Sequence, residues 1–126
     1  MSITAITKQE DIELSVPTEW REALKVLADF FAFSEPLFQG AKISVAPIDT
    51  ETIKINRRNI EDYSDAIGPL TDKTWNTSIC TWTGSDWAVL LDLTTAKGET
   101  SDLVLHCKIR EAGNQYVIDA GLVYVP

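Results

Sequence analysis

The chain has 126 residues, 44% of them hydrophobic, and a formal net charge of −8 from 19 acidic and 11 basic residues. This length predicts a single domain that builds its core without disulfides or a structural metal. The negative field argues against nucleic acid as a partner, because it repels phosphates. No apolar run approaches the ~20 residues that span a membrane. The N-terminus lacks the basic start and long apolar stretch of a signal peptide, so we expect a cytoplasmic protein.

The first predicted helix covers residues 18–34 and follows a polar lead-in at residues 1–16. Thr18 is a candidate N-cap, and Pro36 prevents the helix from continuing. The lead-in contains a candidate short edge strand around Ile12–Val16. Apolar residues recur along the helix at spacings of three and four, which predicts one buried side: Trp20, Ala23, Leu24, Leu27, Phe30 and Phe31.

Residues 49–66 permit two interpretations. Apolar residues recur at helical spacing, and either Asp49 or Thr50 is a candidate cap, whereas Thr52–Asn56 alternates like a strand. The acidic stretch that follows is a poor strand, so we expect a second helix, which Gly68 and the proline after it would stop.

Residues 75–125 are predicted to form a four-stranded antiparallel meander. Gly84-Ser85 suits the two-residue loop of a type II′ turn, because glycine takes the position with positive φ. Alternation then fixes the facing residues of the first three strands. The pairs are Trp82 with Trp87, Cys80 with Val89, Val89 with Cys107, Leu91 with Leu105, and Leu93 with Leu103.

One face of this meander collects the apolar side chains. The predicted fold is therefore α+β, with the N-terminal helix and a probable second helix packed on one face of a C-terminal four-stranded antiparallel meander. The apolar face comprises Cys80, Trp82, Trp87, Val89, Leu91, Leu93, Leu103, Leu105, Cys107, Ile109, Tyr116, Ile118, Ala120, Leu122 and Tyr124.

The two cysteines are predicted to be free, buried thiols. Cys80 and Cys107 flank Val89 on strands either side of it, so their backbones lie roughly 10 Å apart. That separation exceeds the Cα distance of a disulfide. The chain has one histidine and no Cys-x-x-Cys pair, so we expect neither a metal site nor a cofactor.

The single histidine, His106, faces away from the apolar set. A four-residue last turn at residues 111–114 would pair it with Asp119 on the next strand. Such a contact is typical of a partly exposed ion pair. The same contact would also orient a general base, although no nucleophile accompanies it.

Several segments resemble an uncharacterised family of small bacterial domains over about residues 18–126. They are Trp20-Arg-Glu-Ala-Leu24, Ile60-Glu-Asp-Tyr63, Trp75-Asn-Thr-Ser78, Trp87-Ala-Val-Leu-Leu-Asp-Leu93, Ser101-Asp-Leu-Val-Leu105 and Gly121-Leu-Val-Tyr-Val-Pro126. The layout also resembles small acidic immunity proteins that neutralise bacterial toxins. More loosely, it resembles cystatin-like and nuclear-transport-factor-like cone folds, a likeness of architecture that implies no activity.

Two functions are consistent with these patterns. The first is an immunity-type inhibitor that binds a basic toxin domain directly, with the contact residues Asp86, Asp92, Glu99, His106 and Asp119. The alternative is a cone-fold enzyme or small-molecule binder that uses the His106–Asp119 pair as base and orienter. The incomplete catalytic set favours binding over catalysis.

Overall fold

The computed structural model describes residues 6–37 and 39–126, so the part of the predicted lead-in at residues 1–5 lies outside it. Within these ranges the protein is α+β, with three helices and a seven-stranded, mostly antiparallel sheet. The elements are β1 (Leu14–Ser15), α1 (Thr18–Phe33), β2 (Ile43–Val45), α2 (Thr50–Asp62), β3 (Ile67–Gly68), α3 (Thr74–Thr77), β4 (Ile79–Trp82), β5 (Trp87–Thr95), β6 (Thr100–Ala112) and β7 (Gln115–Tyr124). None of these helices is both long and apolar enough to cross a membrane.

The sheet is larger than the predicted four-stranded meander. Strands β4 to β7 do form that meander, and the full order is β1-β4-β5-β6-β7-β2 with β3 also paired to β5. The added strands β1 and β3 pair antiparallel, whereas β2 pairs parallel to β7. Each is two or three residues long, too short for alternation to appear in the sequence. Strand β1 lies within the predicted edge strand around Ile12–Val16.

Helix α1 buries the predicted apolar side, but its N-cap is not the predicted residue. Pro17 occupies the N-cap position and Thr18 is the first helical residue, with no side-chain capping bond. The helix ends where Ser34 adopts φ 58°, with its N–H directed at the carbonyls of Asp29 and Phe30. The buried residues of the helix are Trp20, Ala23, Leu24, Leu27, Ala28 and Phe31.

Helix α2 resolves the ambiguity of residues 49–66 in favour of helix. Asp49 caps it by accepting the N–H of Thr52 at 2.7 Å. It ends at Asp62, earlier than expected, because Tyr63 is extended and the chain turns into β3. Gly68 therefore lies in a strand, and the prediction that it stops the helix was wrong.

The register of the first three meander strands is largely as expected. Trp82 pairs with Trp87, and Val89 pairs with both Cys80 and Cys107. The pairing of Leu93 with Leu103 does not form, because the ladder is irregular just after Asp92 of β5.

The register of β6 and β7 differs from the prediction. The turn has two residues rather than four: Ala112 pairs with Gln115, and Gly113 supplies the positive φ of 64°. Asp119 consequently pairs with Lys108 and not with His106. The predicted His106–Asp119 contact was wrong.

A β-bulge at Gly121 then exchanges the faces to which the last side chains of β7 point. Leu105 pairs with Val123 where the regular ladder would place Leu122. Val123 is fully buried, whereas Leu122 is 44% exposed. Leu122 and Tyr124, which were predicted to face the core, therefore face outward.

The helices cover one side of the sheet, which we call the inner face. Trp20 of α1 packs edge-on against Trp87 and Tyr116, with ring centroids 5.5 and 5.3 Å apart. Helix α2 adds half-buried side chains such as Ile53 and Ile60 to the same core. This aromatic and aliphatic contact dominates burial and leaves the opposite side of the sheet accessible.

Candidate functional site

The accessible side of the sheet, which we call the outer face, is the leading candidate site. Most of its side chains are half-buried or exposed. They come from the central strands β5, β6 and β7: Ala88, Leu90, Asp92, Val104, His106, Lys108, Arg110, Val117, Asp119, Leu122 and Tyr124.

The centre of the outer face is apolar and aromatic. Leu90 pairs with His106 across one strand boundary, and Val104 pairs with Tyr124 across the next. The rings of His106 and Tyr124 meet edge-on with centroids 6.5 Å apart. Half-buried Leu90, His106 and Tyr124 and exposed Leu122 form a patch of the amphipathic kind found in protein interfaces, to which buried Val104 adds little surface.

Charged side chains border this patch on the side nearer the β6–β7 turn. Arg110 Nε donates to Asp119 Oδ2 at 2.8 Å, and both side chains are exposed. A pair in this setting contributes little to stability, because water screens it. Asp119 thus pairs with Arg110 and not with His106. The imidazole of His106 packs against Tyr124.

Of the remaining predicted contact residues, Asp92 lies on the outer face, whereas Asp86 and Glu99 do not. Asp86 lies in the β4–β5 turn, where its carboxylate accepts the hydroxyl of Thr83 at 2.6 Å. Glu99 lies in the loop at the other end of β5, about 25 Å away along a strand of this length. Asp92 accepts a hydrogen bond from Thr77 at the margin of the sheet. The predicted acidic surface is therefore divided.

Helix α2 closes one margin of the sheet with asparagine side chains. Asn56 Nδ2 donates to the carbonyl of Gly121, and Asn56 Oδ1 accepts the N–H of Val123, both at 2.8 Å. Asn59 Nδ2 donates to the carbonyl of Val123 at 2.8 Å. These amides replace the strand that β2 is too short to provide. Neither asparagine was expected from the sequence, although polar residues three apart on the buried side of a helix are a usable signal.

Side chains also close the opposite margin, where β5 is unpaired between β4 and β3. The N–H of Asp92 donates to Ser78 Oγ at 2.9 Å, and Thr74 Oγ1 donates to the carbonyl of Asp92 at 2.8 Å. Thr74 and Ser78 are both buried. Among the described residues, the edges of the sheet are the short strands β1, β2 and β3, which disfavours binding by strand addition.

A concavity of about 590 Å³ lies between the C-terminal ends of α1 and α2. Arg57 lines it, stacks on the ring of Phe30 at 4.9 Å and donates to the carbonyl of Phe30 at 3.2 Å. Glu61 and Asp65 lie on its rim. In the described ranges no cluster of His, Cys, Asp and Glu is arranged to hold a metal ion. Neither His106 nor Asp119 reaches this concavity.

The cysteines are free and buried, as the sequence predicted. Burial raises the pKa of Cys80 to about 11. Burial raises the pKa of Cys107 to about 12, and the negative charge of Asp119 adds to the effect. Both thiols are therefore protonated at neutral pH and unsuited to nucleophilic chemistry.

We expect alkaline pH to destabilise the protein through these thiols. An unfolded thiol ionises near pH 9.0, whereas the folded thiols retain their protons to about pH 11 and 12. Their contribution to stability is therefore present below pH 9 and is lost as the pH rises, by roughly 1 kcal/mol per pH unit for each thiol. Urea denaturation at pH 8 and pH 10 measures the loss. A Cys107→Ala variant should lose less than the wild type; equal losses would contradict the prediction.

The fold and its surface define a class: a small α+β domain with closed sheet margins, an open outer face and inert thiols. A family model described as a domain of unknown function, DUF7668, matches residues 37–126. The chain belongs to this family, and α1 lies before the matched segment. No curated protein and no solved structure matches the chain, and the comparisons lend no support to the resemblance to immunity proteins.

Proposed function

We propose that the protein is a non-catalytic, protein-binding domain that docks through its outer face. The observation that carries this proposal is the patch of Leu90, His106, Leu122 and Tyr124, all half-buried or exposed on an accessible sheet face. Aromatic side chains such as Tyr124 are enriched among the few residues that supply most of the binding energy in protein interfaces.

The negative charge of this protein indicates the charge of its partner. A net charge of −8 favours encounter with a basic protein. The most concrete form of the proposal is an immunity-type inhibitor that neutralises a basic toxin domain by direct binding. The enzyme alternative loses its geometric basis, because Asp119 pairs with Arg110 rather than with His106.

The test uses two matched substitutions and, as the binding partner, a basic protein recovered from the native host by pull-down. Leu122 on the outer face is 44% exposed, and Phe33 at the end of α1 is 42% exposed. Leu122→Asp should weaken binding by at least about tenfold, because it places a charge in the patch. Phe33→Asp introduces the same charge away from the patch and should leave binding unchanged. Isothermal titration calorimetry measures both affinities.

Growth assays then separate inhibition from mere binding. Co-expression of the wild type should rescue cells from a toxic partner, and co-expression of Leu122→Asp should not. Equal binding by the two variants would refute the outer-face proposal. Tight, patch-dependent binding to a harmless partner would retain the binding domain and reject the immunity role.

A further inference from the structure

A second surface lies at the β4–β5 hairpin end of the inner face. Here the N-terminal segment, residues 6–13, crosses the sheet with little regular structure. A single bridge from Glu10 to Trp82 attaches it to the sheet. The segment thus brings its side chains against an aromatic surface, while Ile6 packs against the core.

Lys8 of this segment makes a three-sided contact. Its Nζ lies 5.2 Å from the ring centroid of Trp82, 5.7 Å from that of Trp87 and 2.5 Å from Glu111 Oε1. Two indole faces and a carboxylate are the components with which proteins bind ammonium groups. The core holds the indoles in place: Trp82 and Trp87 pack with centroids 4.6 Å apart, and Trp87 packs against Trp20.

The electrostatics of this corner favour a cation. Burial raises the pKa of the Tyr116 phenol, and the negative charges of Glu111 and Glu19 raise it further. Two carboxylates therefore act on the same aromatic corner. Lys8 already neutralises Glu111, and Glu19 adds negative potential.

The contact with Lys8 is exchangeable. The side chains of Lys8 and Glu111 are 48% and 39% exposed, so water competes for both groups. An ion pair and cation–π contacts at this exposure hold weakly. A competing cation therefore needs little advantage to displace Lys8.

We propose that Trp82, Trp87 and Glu111 form a binding site for the ammonium group of a lysine side chain from another protein, and that Lys8 occupies this site in the free protein. The N-terminal segment then acts as a built-in competitor that a basic partner displaces. This site is separate from the outer face, so the inference stands independently of the proposed function.

The test removes the competitor and supplies a probe. The full chain carrying Lys8→Gln is titrated with Nα-acetyl-lysine amide while the indole N–H signals of Trp82 and Trp87 are followed by NMR. If Lys8 fills the site for about nine-tenths of the time, its removal tightens the apparent Kd about tenfold relative to the wild type. The neutral norleucine analogue is the control for apolar contact and should shift neither signal.

A second substitution tests the carboxylate. Adding Glu111→Gln to Lys8→Gln should abolish most of the gained affinity, because the ammonium loses its ion pair. Both positions are exposed enough for the variants to fold, which circular dichroism verifies. Equal affinities of the wild type and Lys8→Gln, equal shifts from lysine and norleucine, or indifference to Glu111→Gln would each overturn the proposal.

Discussion

Replacing Asn56 with leucine is expected to lower the free energy of unfolding by about 4 kcal/mol. Asn56 is fully buried, and its amide bonds both the carbonyl of Gly121 and the N–H of Val123. Leucine has a similar volume but offers neither donor nor acceptor. Two backbone groups of β7 would stay buried without partners, at about 1–3 kcal/mol each.

Asn59→Ala is the matched control for this prediction. It lies one helical turn further along α2 and removes a single bond to Val123, from a half-buried position. We expect a loss of about 1 kcal/mol. Urea denaturation of both variants gives the comparison. If Asn56→Leu lost no more than Asn59→Ala, the two buried bonds of Asn56 would not stabilise the margin more than the single bond of Asn59, and the prediction would be wrong.

The parts of the fold that depend on local pattern could be predicted from the sequence. The stripe of α1 and the Gly84-Ser85 turn are local features, and both correspond to observed structure. The turn fixes the pairing of Trp82 with Trp87, from which the first three strands follow. Strand β1 lies within the predicted edge strand, whereas β2 and β3 are set by tertiary contacts of two or three residues, which no local pattern records.

The error at the β6–β7 turn has a simple physical cause. The observed two-residue loop at Gly113-Asn114 shifts the pairing by two positions relative to the predicted four-residue loop. A shift of two positions leaves every side chain on the same face of the sheet. Alternation cannot distinguish them, and the apolar face was still largely correct. A site made of two specific facing residues depends on the exact register and not only on the face. The two-position shift therefore removes the predicted His106–Asp119 pair.

The candidate site was predicted in part. The outer face contains His106, Asp92 and Asp119, but Asp86 and Glu99 lie at opposite ends of β5. Acidic residues spread along a sequence carry no information about which of them meet in space. The apolar patch was missed because it includes Leu122 and Tyr124, which face outward only after the bulge.

The second large loss of stability is expected from a substitution at the bulge. A Cβ added at Gly121 would lie 2.5 Å from the carbonyl oxygen of His106, which belongs to the neighbouring backbone. Neither strand can move away without breaking the ladder. We therefore expect Gly121→Ala to lower the free energy of unfolding by about 3 kcal/mol.

Gly113→Ala separates this steric effect from the general cost of replacing glycine. Gly113 has φ 64° but nothing within 4 Å of its would-be Cβ, so only backbone strain opposes alanine there. We expect about 1 kcal/mol at that position, measured by the same denaturation. Equal losses at the two glycines would show that close approach to His106 does not govern the bulge.

The bulge also connects stability with the outer face. It turns Leu122 and Tyr124 outward beside His106, whereas the regular ladder would turn them inward. A folded Gly121→Ala protein that relieves the clash by moving this segment should therefore bind its partner more weakly than wild type. Asn56→Leu should retain affinity under conditions where it remains folded, because its side chain lies on the helical side of β7. Measuring affinity for both variants below their unfolding transitions distinguishes a distorted binding surface from a merely less stable protein.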